Sequence, residues 1–272
     1  MTEKKNAGFE YLANKKGKYN FTDLCLLAQL LRADGGCPWD REQTHQSIRK
    51  DIIEETYEVI EAIDNNDPEL MREELGDLLW QVVFHAELER EAERSDINDI
   101  IHDICAKLVH RHPHVFGSVI ANTSDVVLSN WEKIKTEEKQ RNTVTSKLES
   151  VPPALPALMR AQKIGKRASF FDFPDAESVL LKLEEETSEL KEAIDNGISS
   201  DIDEEFGDLL FTAVSLARKL GLDAEESLTR ATEKFIKRFA RLESEVIKDG
   251  KDITTLSMDE LDSIWDRIKH NN

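Results

Sequence analysis

The sequence predicts an all-α protein built from tandem duplicated helical-bundle domains. Glycine and proline are sparse, at 11 and 7 of 272 residues, and apolar residues recur at helical spacing. Two segments also return later in the chain: EETYEVIEAIDN at 54–65 as EETSELKEAIDN at 185–196, and EELGDLLW at 73–80 as EEFGDLLF at 204–211. Both pairs are offset by the same 131 residues, which indicates a duplicated domain.

Helix ends are marked by capping residues. Gly35 and Gly221 follow predicted helices, Pro68 opens one, and Ser257 with Glu260 forms a capping box. The predicted helices span about 22–33, 44–64, 68–93, 96–112, 124–140, 156–167, 175–196, 199–220, 223–248 and 257–269.

The domain boundaries follow from these helices and from the segment RNTVTSKLESVPPALP, whose polar and proline-containing character is typical of a linker. We expect a flexible N-terminus at 1–20, a first domain at 21–140, a linker at 141–156 and a second domain at 157–272.

Charge and composition exclude several function classes. The formal net charge of -19 argues against a nucleic-acid surface, which needs a basic footprint. No apolar run approaches the roughly 18 to 20 residues of a membrane span, and the first residues lack the apolar core of a signal peptide. The three cysteines are widely spaced, so reduced thiols are expected. We therefore expect a cytoplasmic protein that binds neither nucleic acid nor membrane.

Carboxylates recur at fixed spacing in both copies. Each copy has an E-x-x-E pair and, nineteen residues after its first Glu, an E-x-x-D pair. Residues three apart leave one helix face, and the turn-forming segments DNNDP and DNGISSD between the pairs predict antiparallel helices. The four carboxylates of a copy should therefore converge. The first cluster comprises Glu55, Glu58, Glu74 and Asp77, and the second comprises Glu186, Glu189, Glu205 and Asp208.

A divalent cation explains this convergence. Asp77 and Asp208 interrupt nearly all-apolar helices, and burying unpaired carboxylates costs several kcal/mol. Mg²⁺ or Mn²⁺ removes this penalty because both prefer carboxylate oxygens. The mid-helix glycines Gly76 and Gly207 each cost about 1 kcal/mol relative to alanine, which predicts that something approaches the backbone there.

A cation with free coordination positions suits a di- or triphosphate ligand. The chain has no glycine-rich phosphate loop, so basic residues must hold the phosphates. The candidate nucleotide contacts in copy two are Lys182, Lys234, Arg238, Trp265 and Lys269. Copy one repeats four of them as Lys107, Arg111, Trp131 and Lys135, but Asp51 stands at the position of Lys182. A carboxylate there should repel phosphate, which makes copy two the better candidate for the competent site.

The motifs GGCPWDREQTH at 35–45, EETYEVIEAID, EELGDLLWQVVFHA, RHPHVFG at 111–117 and NWEKIK at 130–135 closely resemble the two-domain MazG nucleoside triphosphate pyrophosphohydrolases. The resemblance implies a homodimeric, all-α hydrolase that cleaves nucleoside triphosphates, with broad base specificity, to monophosphate and pyrophosphate with Mg²⁺. It implies a role in nucleotide-pool housekeeping or stress regulation. It places metal ligands in both clusters, nucleotide contacts at the five copy-two residues named above, and catalysis at Glu185, Glu186, Glu189, Glu205 and Asp208. Which glutamate acts as the base is left open.

Two other function classes fit parts of the pattern. A di-iron carboxylate bundle needs E-x-x-H on two helices, and only Glu42 with His45 provides it. A non-catalytic acidic scaffold for partner proteins would not need Asp77 and Asp208 inside apolar helices. The histidines in HRHPH, residues 110–114, have no counterpart in copy two and are interpreted as structural or as part of the copy-one pocket.

Overall fold

The structure is a computed structural model that describes residues 2–138 and 143–270. Over these residues all regular structure is helical, which confirms the predicted all-α class. The chain divides into two compact units, Met1–Lys135 and Thr136–Asn272. Within the described ranges, every helix is too short or too polar to cross a membrane.

Eight helices begin in the described part of the first unit, and the last of them continues past Lys135. Helix α5 is the centre of the unit. Helices α2, α4 and α6 all pack against α5, and a core of Ile48, Phe84 and Leu88 lies beneath the ring of Trp80. The helices are α1 (Thr2–Asn14), α2 (Phe21–Arg32), α3 (Pro38–Glu42), α4 (Arg49–Asn65), α5 (Pro68–Glu91), α6 (Ile97–Arg111), α7 (Pro113–Phe116) and α8 (Ser124–Glu138).

Helix α4 begins five residues later than the sequence predicts. Thr44 and Ser47 exchange bonds between their hydroxyl groups and backbone amides, which forms a local turn in place of the first helical turn. Side chains of this kind compete with helix formation in this way.

The N-terminal segment differs from the expected flexible 1–20. Helix α1 forms there and packs on α2. The Tyr11 hydroxyl donates to Asp23 over 2.9 Å, Lys15 pairs with the same carboxylate, and Leu12 is buried. These contacts hold the segment on α2, and the polar composition of the segment does not indicate them.

A helical hairpin of α4 and α5 positions the first cluster. Asn66 ends α4 in the left-handed conformation, with φ of 51°. Asp67 then caps α5 by accepting from the amides of Glu69 and Leu70, and Pro68 fills the first helical position. Because the connection is so short and the two helices are in contact, they run antiparallel.

The second unit repeats this hairpin with α11 and α12. Gly197 ends α11 with φ of 72°, a conformation that glycine adopts without strain. Helix α10 packs on α12 and α13, and α14 packs on α13 over a core of Leu242, Val246 and Ile268. The helices are α9 (Val144–Glu149), α10 (Ala157–Arg167), α11 (Ala176–Asn196), α12 (Ser199–Lys219), α13 (Ala224–Lys248) and α14 (Met258–His270), with a 3₁₀ turn at Ile253–Thr255.

The segment expected to be a linker, 141–156, differs from that expectation where it is described. It contains α9, and Val151 is only 1% exposed. Arg167 of α10 donates to the carbonyl of Lys147 and to the hydroxyl of Ser150. The segment is therefore part of the second unit from residue 143 onward. Residues 139–142, which include the predicted end of the helix at 124–140, lie outside the described residues.

Both hairpins expose apolar side chains on long helices. In the first they are Ile53, Tyr57, Ile60, Ile63, Leu75, Leu79 and Val82, and in the second Leu180, Leu181, Ile194, Phe206, Leu210 and Phe211. Each of these side chains is at least 41% exposed, so each hairpin has apolar surface that its own unit leaves uncovered.

Candidate metal and nucleotide site

The first cluster forms on the α4 and α5 hairpin as predicted from spacing. Glu55, Glu58 and Glu74 each offer a carboxylate oxygen, and these oxygens lie within 4.8 Å of one another. Glu74 is buried, and Glu55 and Glu58 are half-buried. Asp77 lies one helical turn after Glu74 and is close enough to raise the pKa of Glu55. All four carboxylates therefore share one region.

The second cluster repeats this arrangement on α11 and α12. Glu186, Glu205 and Asp208 have oxygens within 4.8 Å of one another, with Glu186 buried. Burial and then the charge of Glu189 raise the pKa of Glu205, which places Glu189 beside the same cluster. Over the described parts of the chain, both groups with metal-binding geometry contain carboxylates alone, which fits a hard cation and not a di-iron centre with histidine ligands.

Crowding perturbs these carboxyl groups. Burial raises the pKa of Glu74, of Glu55 and of Glu205, and the neighbouring carboxylates raise each pKa further. Each group therefore resists ionisation because its charge is partly desolvated beside other negative charges. A bound divalent cation would remove that repulsion.

The aspartates and the mid-helix glycines of the two clusters differ from the sequence-based expectations. Asp77 and Asp208 are exposed in the structure, and the buried carboxylates are instead Glu74 and Glu186. Apart from its chain neighbours and the backbone of its own helix, a Cβ atom added to Gly76 or Gly207 would meet no described atom within 4 Å. Nothing within the described chain approaches these glycines, so the predicted close approach is not made by the chain itself.

Lys182 contacts the second cluster directly. Its Nζ lies 2.7 Å from Oε1 of Glu185, 3.0 Å from Oε1 of Glu186 and 3.8 Å from Oε2 of Glu189. The hydrogen bonds that Lys182 donates to Glu185 and then to Glu186 raise its pKa. The side chain of Glu185 is more than half exposed. The spacing indicated only that Lys182 lies one turn before Glu186.

The remaining copy-two candidates lie on α13 and α14. Trp265 packs against Phe235, with ring centroids 5.2 Å apart, and against the core of α13 and α14. Arg238 has a buried Nε that lacks a hydrogen-bond partner among the described residues. Lys234 is exposed, and Lys269 bonds Asp266 over 3.3 Å. None of the described contacts joins these four residues to the carboxylate cluster.

The matching aromatic and basic residues of copy one pack together. The Arg111 guanidinium lies 5.3 Å from the Trp131 ring centroid, and His112 meets the same ring edge-on at 5.0 Å. Arg111 is buried, whereas Lys107 is exposed and Lys135 is half-buried. Trp131 is thus already covered by its own unit.

A histidine pair was missed by the sequence reasoning. Nδ1 of His45 lies 2.6 Å from Nδ1 of His85, and Nε2 of His45 lies 2.8 Å from a carboxylate oxygen of Glu89. Arg94 donates two hydrogen bonds to Glu89 and lowers its pKa to about 2. His45 therefore fastens the turn before α4 to α5 and takes no part in either cluster. Because His45 and His85 are forty residues apart, no local sequence pattern indicates that they pair.

Comparison with known proteins decides the family. The model of the MazG nucleotide pyrophosphohydrolase domain matches this chain twice, at residues 43–116 and 175–241. The chain belongs to the MazG family. The nucleoside triphosphate pyrophosphohydrolase/pyrophosphatase MazG of Thermotoga maritima is 44% identical over 92% of this chain and 95% of its own length. The nucleoside triphosphate pyrophosphohydrolase of Escherichia coli K12 is 42% identical over 90% of this chain and 95% of its own length.

The two MazG matches confirm the internal repeat and contain both clusters. The second match also includes Lys182, Lys234 and Arg238, whereas Trp265 and Lys269 lie beyond it. The carboxylates and three of the five candidate nucleotide contacts therefore lie within MazG-like sequence.

Proposed function

We propose that this protein hydrolyses nucleoside triphosphates to nucleoside monophosphate and pyrophosphate, with Mg²⁺ held by the second cluster. The observation that carries the proposal is the convergence of Glu186, Glu205 and Asp208 within 4.8 Å on a helical hairpin that recurs in the first copy. The pyrophosphohydrolase names of the relatives from Thermotoga maritima and Escherichia coli support the reaction class.

The donor set fits Mg²⁺, and Mn²⁺ as a substitute. Carboxylate oxygens on two adjacent helices leave coordination positions free for water and phosphate. When bound, the cation supplies Lewis acidity, a lowered pKa for water and neutralisation of phosphate charge. No phosphate-binding glycine loop is needed in such a site.

Side chains of the protein activate the water, bind the phosphates and contact the base. One glutamate of the second cluster orients and deprotonates a water for in-line attack on the α-phosphorus. Lys234 and Arg238 stabilise the leaving pyrophosphate. The buried Nε of Arg238 has no hydrogen-bond partner among the described residues, so a movement of this side chain toward a phosphate oxygen would satisfy it. Lys182 and Lys269 contact other phosphate oxygens, and Trp265 offers a flat face to the base. Stacking on a ring discriminates weakly among bases, which favours broad base specificity.

We also propose that the protein works as a homodimer. The exposed apolar side chains of the two hairpins lie on the helices that hold the clusters, and a second copy of the chain would remove them from water. A partner helix could also bring basic residues toward a cluster that they do not reach within the described chain. We place the enzyme in the cytoplasm, where it would limit or remodel the nucleotide pool.

Product analysis by ³¹P NMR tests the reaction and its location. Wild-type protein with Mg²⁺ and each of the common nucleoside triphosphates should release monophosphate and pyrophosphate. Asp208→Asn should lower turnover by about 10³-fold or more, because it removes one metal ligand. The matched change Asp77→Asn in the first cluster should leave most of the turnover. Nucleoside diphosphate and orthophosphate as products, or full activity in Asp208→Asn, would contradict the proposal.

A further inference from the structure

The ammonium group of Lys182 pairs with Glu186, one of the three carboxylates with metal-binding geometry in the second cluster. It is within 4 Å of carboxylate oxygens of both Glu186 and Glu189, and the Glu186 side chain is only 6% exposed. The Lys182 side chain is itself 29% exposed, so its end can leave toward solvent without disturbing the core. The second cluster therefore has an internal counter-ion.

Among the described residues, the first cluster has no such counter-ion. The residue one turn before Glu55 is Asp51, and among the described residues no Lys, Arg or His forms an ion pair with Glu55, Glu58, Glu74 or Asp77. Four carboxylates with Asp51 carry five negative charges, whereas four carboxylates with Lys182 carry a net three. Two hairpins with the same carboxylate spacing thus differ by two charge units at one matched position.

We infer that Lys182 is a displaceable counter-ion that makes metal binding by the second cluster depend on nucleotide. The ammonium group of Lys182 and a divalent cation compete for the carboxylate of Glu186, because their like charges repel at contact distance. A cation that enters alone must first displace Lys182. A cation that enters with a triphosphate brings anionic oxygens to which the displaced ammonium moves.

The part of this inference that concerns nucleotide rests on the proposed function. The inference also gives the two copies different roles. The first cluster binds a divalent cation without nucleotide. In the second cluster, nucleotide and cation each raise the affinity for the other, as thermodynamic linkage requires. An enzyme with this arrangement keeps part of the charge of its second cluster compensated between turnovers without a resident metal.

Mn²⁺ alone, followed by electron paramagnetic resonance of the free ion, tests the first half on the full chain. Wild-type protein should bind Mn²⁺ in a tighter and a weaker class of sites. Asp77→Asn should remove the tighter class and Asp208→Asn the weaker one. Lys182→Met should tighten the weaker class about three- to tenfold, as expected for the loss of a competing, partly buried ion pair.

Two further variants keep the test decisive. Lys182→Arg retains the charge and should leave the Mn²⁺ affinity of the weaker class unchanged. Asp51→Lys installs a counter-ion in the first hairpin and should weaken Mn²⁺ binding to the tighter class by a similar factor. Unchanged or weaker Mn²⁺ binding in Lys182→Met would overturn the inference, as would an unaffected tighter class in Asp51→Lys. Because these titrations contain no nucleotide, wrong hydrolysis products would refute the proposed function and leave their result standing.

Discussion

Asp208→Asn should stabilise the metal-free second unit and reduce the stabilisation that this unit gains from Mg²⁺. Asp208 is exposed and lies within 4.8 Å of an oxygen of the buried Glu186. Two unit charges at that distance repel by about 1 kcal/mol at the dielectric constant of water and by about 3.5 kcal/mol at an effective value near 20. Because Asp208 faces solvent, the lower figure applies to the repulsion between Asp208 and Glu186. Asn and Asp have similar helix propensity, so relief of repulsion is the main effect.

In chelator-treated protein, Asp208→Asn should therefore raise the melting temperature of the second unit by about 3 to 5 °C. In saturating Mg²⁺ the wild type should gain more than the variant, because the variant has lost a ligand that binds the folded state alone. Differential scanning calorimetry of both proteins in both buffers measures both effects. A lower melting temperature for metal-free Asp208→Asn would show that Asp208 is a structural partner, and the same metal shift in both proteins would remove it from the metal site.

Three other predictions concern the parts that hold the site. Asp172→Asn should cost about 2 to 3 kcal/mol in urea unfolding, because the largely buried carboxylate pairs with Arg218 over 2.6 Å and its loss leaves that guanidinium unpaired; an unchanged midpoint would refute this. Arg94 depresses the pKa of Glu89 to about 2, so the stabilisation by Glu89 is complete above pH 4.5 and is lost as pH falls toward 2. The melting-temperature difference between wild type and Glu89→Gln should shrink over that range, and a difference that grows would contradict the assignment. Phe206→Glu should give a monomer in analytical ultracentrifugation, because Phe206 is 51% exposed on the proposed dimer face; a retained dimer would place the interface elsewhere.

The carboxylate hairpins could be predicted from the sequence because every determinant was local. An i, i+3 spacing fixes which side chains share a helix face, and Pro68 or Gly197 with its neighbours fixes the turn. The repetition at one offset then distinguished a constructed cluster from an ordinary acidic surface. The structure confirms that Glu55 and Glu74, or Glu186 and Glu205, meet from different helices.

Features that depend on distant partners were not predictable in the same way. Spacing gives the direction of Asp77 on α5 but not whether another helix covers it. For this reason burial was expected at Asp77, whereas the structure buries Glu74. The docking of α1 depends on the contact between Tyr11 and Asp23, twelve residues apart. The pairing of Lys182 with Glu186 depends on side-chain torsions that the sequence does not specify.

Hydrolysis in H₂¹⁸O tests the central claim most directly. Wild-type protein, ATP and Mg²⁺ are incubated in labelled water, and the products are separated and examined by mass spectrometry. In-line attack of water on the α-phosphorus predicts one ¹⁸O atom in the nucleoside monophosphate and none in the pyrophosphate. Label in the pyrophosphate would mean attack on the β-phosphorus, and it would contradict the mechanism assigned to the second cluster.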